Sequence, residues 1–91
     1  MRFEELEWND ENDAHVARHG VRRVEVEDVC FGRHLATRSG RRRYRVIGQT
    51  AAGRYITVVV ERLDDYGFYR PVTARDADDT ERRRFRSFVG R

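Results

Sequence analysis

Three groups of side chains carry the chemistry this sequence can offer. Asn12, His15 and His19 fall at i, i+3 and i+7, so a helix over this stretch projects them from one face. His15 and His19 are a possible metal pair, although the glutamate that a zincin motif places directly after its first histidine is replaced by Val16. His19, immediately before Gly20, also reads as a histidine closing a helix, where it bonds the last carbonyls and complements the dipole. In the second group Arg41, Arg42, Arg43 and Arg45 flank Tyr44, and strand alternation puts Arg43 and Arg45 on one face with Arg42 and Tyr44 on the other. Arginine interleaved with an aromatic suits phosphate contact plus base stacking, and a core position fits Tyr44 equally. The third group is late in the chain. Strict alternation there puts Arg70 and Val72 on one face and Tyr69, Pro71, Thr73 and Arg75 on the other, while Arg82, Arg83, Arg84 and Arg86 wrap a final helix and read as its solvated side.

No metal cage, Ser-His-Asp arrangement or phosphate-cradling glycine loop accompanies these residues. The reaction most within reach is metal-independent RNA cleavage, in which the substrate's own 2′-hydroxyl attacks and the protein supplies a base or acid and cations for the phosphorane. The same arginines would serve a non-catalytic nucleic-acid-binding module held by counterion release.

The composition agrees with that direction. All nineteen basic residues are arginine, none is lysine, and the formal net charge is +3. Residues 1 to 32 carry four Arg against nine acids and residues 33 to 91 fifteen Arg against seven, so the chain is a dipole with a basic C-terminal part. Arginine pairs phosphate in a bidentate fork and stacks on bases, which makes nucleic acid the first partner to consider. Ninety-one residues leave room for one domain, 1 to 91. Charge at 38% is high, yet ten aromatics and sixteen Val, Ile and Leu residues suffice for a core. The single Cys30 cannot form an internal disulfide, and no apolar run approaches the length of a membrane span. A cytoplasmic protein without a membrane association is expected.

The elements that position these groups can be read from patterning. Phe3 to Trp8 is a short edge strand or an extended lead-in. Asn9 is a plausible N-cap and Gly20 a C-cap glycine, giving a helix over Asp10 to His19 with acids Asp10, Glu11 and Asp13 in its first turn. Ala14, Val16 and Ala17 form only a thin apolar stripe, so Trp8 and Val21 must hold it down. Residues 24 to 31 fit strand or helix; Glu25 at N3 and a Val21 to Val26 staple lean towards a helix ending at Gly32. After Gly32 the pattern is that of a sheet, with strands near His34 to Arg38, Arg42 to Gln49, Arg54 to Leu63 and Phe68 to Ala74. Gly40, Gly53 and Gly67 supply left-handed turn residues between them. The third of these strands is apolar on both faces, as expected of a central strand covered on both sides, and Pro71 marks the last as an edge or as irregular. Asp78 to Thr80 open a final helix with Phe85, Phe88 and Val89 on its apolar face.

The ordered series Trp8, Asn12-x-x-His15, Arg18-His19-Gly20-Val21, Val26-Glu27-Asp28-Val29, Arg43-Tyr44-x-x-x-Gly48-Gln49-Thr50, Gly53-Arg54 and Arg70-x-x-Thr73-Ala74-Arg75-x-Ala77-x-x-x-Glu81 resembles the BrnT-type toxins of bacterial type II toxin-antitoxin pairs. The resemblance implies an α+β, RelE-like fold with an antiparallel four-stranded sheet, two N-terminal helices and one C-terminal helix. It implies RNA cleavage that a ribbon-helix-helix antitoxin stops on binding, with a homodimer or a toxin-antitoxin hetero-oligomer as the assembly and no cofactor or metal. Carried over by position, His19, Arg70, Arg75 and Glu81 become the catalytic candidates, with His19 and Glu81 for proton transfer, while Arg43, Tyr44 and Arg45 remain the RNA-binding candidates on their own arginine-aromatic pattern. Two positions depart: Arg18 stands where the family often has lysine, and Phe85, which cannot transfer a proton, where it often has tyrosine. A degenerate toxin kept for its antitoxin contact is therefore a further reading.

Overall fold

A computed structural model describes residues 1–90. The elements run β1 (Glu5–Leu6), α1 (Asp10–Arg18), α2 (Arg23–Phe31), β2 (His34–Arg38), β3 (Arg43–Gln49), β4 (Tyr55–Arg62), β5 (Phe68–Asp76) and α3 (Asp79–Val89). β2 to β5 pair antiparallel in sequence order, and β1 adds to the far side of β5 in parallel, giving the order β1-β5-β4-β3-β2. The four-stranded antiparallel sheet expected from the resemblance is thus corrected to a five-stranded mixed sheet. The added strand is the two-residue β1, inside the Phe3 to Trp8 stretch read as a short edge strand or a lead-in, and it buries Leu6 alone.

Local chemistry sets the helix limits. Asn9 caps α1 by accepting from Asn12 N at 2.8 Å, and Asn12 Oδ1 accepts from Asn9 N at 2.9 Å, a reciprocal capping box. In α2 the Glu25 side chain accepts from Arg22 N at 2.9 Å, which supplies the cap that Arg22 lacks and decides the ambiguous stretch for helix. Asp78 and Glu81 form the same box at the start of α3.

Both N-terminal helices lie on one sheet face. There Val16, Val21, Val26, Val29 and Cys30 pack against Val46, Ile56, Val58, Val60, Tyr69 and Ala74 to make the core. The apolar stripe of α1 is narrower than its alanines suggest: Ala14 and Ala17 are exposed, while Val16 and the capping Asn12 are buried. Gly48 lets α2 come close, since a Cβ there would stand 2.9 Å from Val29 Cγ1.

The other face is covered only in part. α3 packs over β2 and β3, its Phe85 meeting Tyr55 edge to face at 6.1 Å, and leaves Val59 and Thr73 half-buried. Burial of the central strand on both sides therefore holds at Thr57, beneath α3, and fails at Val59.

β1 reaches only Phe68 and Tyr69, so β5 has no outer strand neighbour at Pro71, and an irregularity falls there too: Val60 pairs with Pro71 and Val59 with Thr73, leaving Val72 as an extra residue. A bulge at this point tolerates the missing N–H. The turns hold one surprise as well. Gly53 and Gly67 adopt positive φ as expected, but between β2 and β3 it is Arg42, at φ 133°, that does so in place of Gly40.

Candidate functional site

The bulge decides which side chains meet. Arg70 pairs across with Glu61, and Arg75 with Thr57; Glu61 and Thr57 lie an even number of residues apart on β4 and share a face. Arg70 and Arg75, which strict alternation separates, therefore stand on the same open face, joined there by Arg43 opposite Glu61 and Arg45 opposite Val59. The four guanidinium groups form two clusters. At a strand rise of ~3.3 Å, the four-residue separation along β4 puts these clusters about 13 Å apart, with Arg45 in the row between.

The first cluster lies where β3 begins. Arg70 Nε donates to Glu7 Oε1 at 2.8 Å and Arg70 Nη1 to Glu61 Oε1 at 3.2 Å, while Arg43 Nε stands 3.7 Å from Glu61 Oε2. The hydrogen bond to Glu7, with the charges of Glu7 and Glu61, raises the affinity of Arg70 for its proton. Glu7 arrives here because β1 is paired: Glu7 N donates to Tyr69 O at 2.8 Å, and Asn12 Nδ2 donates to Glu7 O at 2.8 Å. α1 walls this side, so that Asn9, Glu11 and His15 join Arg43, Glu61 and Arg70 around a cleft of about 280 Å³.

The second cluster lies at the start of α3. Arg75 Nη1 and Nη2 donate to the two oxygens of Glu81 at 2.7 and 3.1 Å, and Arg45 Nε approaches Oε2 at 3.7 Å. Glu81 is nearly enclosed, with 6% of its side chain exposed against 43% for Arg75. Burial alone would raise this carboxyl, but the fork from Arg75, the N–H of Asp78 and a smaller pull from the Thr57 hydroxyl outweigh it and hold Glu81 down at about 2. Thr57 Oγ1 faces the carboxylate without closing a hydrogen bond of its own. A group this acidic stays ionised near neutrality and holds Arg75 in place through both of its oxygens.

Two of the candidates stand apart. Tyr44 is on the opposite face, packed on the core edge to face with Tyr69 at 6.1 Å. His19 is the C-cap of α1, exposed, with its backbone N–H bonded to Val16 O at 3.2 Å, and it lines neither cluster. Phe85, in the position of the family's tyrosine, is buried against Tyr55. Sequence reasoning missed Glu7, Glu61 and the place of His15. Glu7 depends on β1 pairing in parallel with β5, a partner the edge-strand reading of Phe3 to Trp8 did not name, whereas a Glu61 opposite Arg43 was legible once the hairpin register was drawn. Among the described residues no three of His, Cys, Asp or Glu converge as metal ligands, and no helix is long and apolar enough to cross a membrane.

Fold and site together define a small α+β protein with one sheet face packed and the other open and lined by arginine-carboxylate pairs. Its sequence from residue 8 to 81 matches the model of the family described as the ribonuclease toxin, BrnT, of type II toxin-antitoxin systems. The chain belongs to that BrnT family, and as a type II toxin it implies an antitoxin partner. No curated protein matches it.

Proposed function

We propose that the open sheet face cleaves RNA without a metal ion. One observation carries the reading: Arg43, Arg45, Arg70 and Arg75 converge on a single solvent-accessible face although the last two begin out of phase. Guanidinium groups in successive rows suit a chain of phosphates, each able to take a bidentate pair of hydrogen bonds. In this reading Arg43 and Arg70 hold the reacting phosphate and stabilise its developing charge. Arg45 and Arg75 bind further along the strand, with Glu81 orienting Arg75. His19 keeps the role of a helix-closing residue. The antitoxin, of ribbon-helix-helix type, stops the reaction by covering this face in a toxin-antitoxin hetero-oligomer in the cytoplasm.

The test is induced expression with transcript profiling, paired with purified chain and RNA in the presence of a chelator. Growth arrest, broken transcripts and chelator-resistant cleavage are expected. Arg70→Ala, which leaves Glu7 and Glu61 half-exposed and easily solvated, should remove them all. RNA bound with a steep salt dependence but left intact would instead identify a binding module.

A further inference from the structure

The cleft beside the first cluster holds a histidine that phosphate binding leaves unused. His15 lies one helical turn beyond Asn12, whose buried side chain fixes both the α1 cap and Glu7 O, so the ring is presented from a rigid part of the helix. It is half-buried, and it lines the cleft with Glu11, Arg43, Glu61 and Arg70. Pro71 and Val72, the residues of the bulge, complete the wall. An imidazole and a carboxylate lining one cleft with two guanidinium groups make a full set for phosphodiester cleavage: a base, an acid and cations.

Glu61 also has the form of a placeholder. Its two oxygens sit between Arg70 Nη1 at 3.2 Å and Arg43 Nε at 3.7 Å, where the non-bridging oxygens of a phosphate would sit. A phosphodiester entering the cleft draws both guanidinium groups to itself and releases the carboxylate beside the ribose.

We propose that Glu61 and His15 are the proton-transfer pair of the reaction, an assignment that rests on the ribonuclease reading of this face. Glu61 takes the proton of the 2′-hydroxyl as the 2′ oxygen forms its bond to phosphorus. The bond from phosphorus to the 5′ oxygen breaks, and the protonated ring of His15 gives its proton to that departing oxygen. The products are a 2′,3′-cyclic phosphate and a 5′-hydroxyl. Glu61 is left neutral and protonated and His15 neutral and unprotonated, and exchange with water restores both.

The experiment compares the full chain with its His15→Gln and Glu61→Gln variants on an RNA oligonucleotide. The same oligonucleotide with sulfur replacing the 5′ oxygen at the cleavage point serves as second substrate, because a thiolate leaves without a proton. His15→Gln should lower kcat about 100-fold or more on the oxygen substrate, the usual worth of a general acid, with KM within about threefold. The sulfur substrate should restore its rate to near that of wild type, a recovery no misfolded variant shows. Glu61→Gln should be slow on both. The groups lining the cleft with His15 are Glu11 on its own helix and Arg43, Glu61 and Arg70 from the sheet. A His15→Gln variant at the wild-type rate, or slow on both substrates, overturns the assignment. Wild type that leaves both substrates intact overturns the ribonuclease reading itself.

Discussion

Replacing Glu81 by glutamine isolates the most heavily bonded carboxylate of the open face. Glutamine keeps an oxygen for the Asp78 N–H, so the cap of α3 survives, but it cannot accept both arms of Arg75 or balance its charge. The distance between the ordinary 4.5 and about 2 corresponds to about 3 kcal/mol at ~1.4 kcal/mol per pH unit. With the cap retained, a loss of about 2 kcal/mol or slightly more is expected at pH 7. The sign is fixed by the direction of the shift. A carboxyl that titrates lower in the folded state stabilises fully above its unfolded value, and the contribution fades as pH falls from about 4.5 through about 2. Urea unfolding of wild type and variant across pH 2 to 7 reads this directly: at a slope of about 1 kcal/mol per molar, the midpoints should differ by about 2 M at neutrality and converge in acid. Other carboxylates titrate in both proteins and cancel in the difference. A gap below about 0.5 kcal/mol at pH 7, or one constant across the acid range, would refute the coupling of Glu81 to Arg75.

Four other substitutions or probes test the frame that holds the site. Gly48→Ala drives a Cβ to 2.9 Å from Val29 Cγ1 and should cost about 1–3 kcal/mol by overpacking, read as a lowered unfolding midpoint. Arg42→Gly relieves a positive φ of 133° and should gain about 1 kcal/mol net of the added chain entropy; a loss in the same denaturation assay would show the conformation unstrained. Burial, with Glu27 adding to it, pushes the Cys30 thiol up to about 12, so about one thiol in 10⁴ is ionised at pH 8, and a thiol reagent should react only at the rate of unfolding. Arg75→Lys replaces a two-armed fork with a single point charge; it should cost about 1–2 kcal/mol, and a midpoint equal to wild type would show that the fork contributes nothing beyond charge.

The sequence was most legible where one residue type dictates one backbone state. Asn9, Asp78 and Gly20 marked helix ends within a residue of where they fall, and glycines at positions 53 and 67 took the left-handed turns assigned to them. Alternation placed Arg43 and Arg45 together and Tyr44 on the opposite face. It failed on β5, because one extra residue at Val72 reverses every later side chain and a proline indicates only that something irregular occurs nearby. β1 was legible as a short edge strand or a lead-in but its partner was not: two residues pairing in parallel with a distant strand leave no trace of the pairing, and the position of Glu7 depends on it. The BrnT-type motif order reached the family, and position by position it points to His19 and Glu81, which the structure places at the C-cap of α1 and against both arms of Arg75.

The absence of lysine acquires a structural meaning at this face. Arg70 reaches two carboxylates on different elements at once, Glu7 beyond β1 through Nε and Glu61 on β4 through Nη1, and so ties the short first strand to the sheet interior. Arg75 uses both terminal nitrogens on one carboxylate and still donates from Nη1 to Asp76 O at 3.0 Å. An ammonium group, a single compact charge with three donors on one nitrogen, cannot hold two partners in fixed directions in this way. The carboxylates in turn keep the guanidinium groups splayed in rows before any ligand arrives, so less ordering remains to be done on binding. At the first cluster the arrangement is reversible, since Glu7 and Glu61 are partly solvated and a phosphate can displace them; at the second it is fixed, since Glu81 is enclosed. The proposed proton transfer, which needs a released carboxylate, therefore falls at the Arg70 end of the face, and the proposed strand anchoring at the Arg75 end.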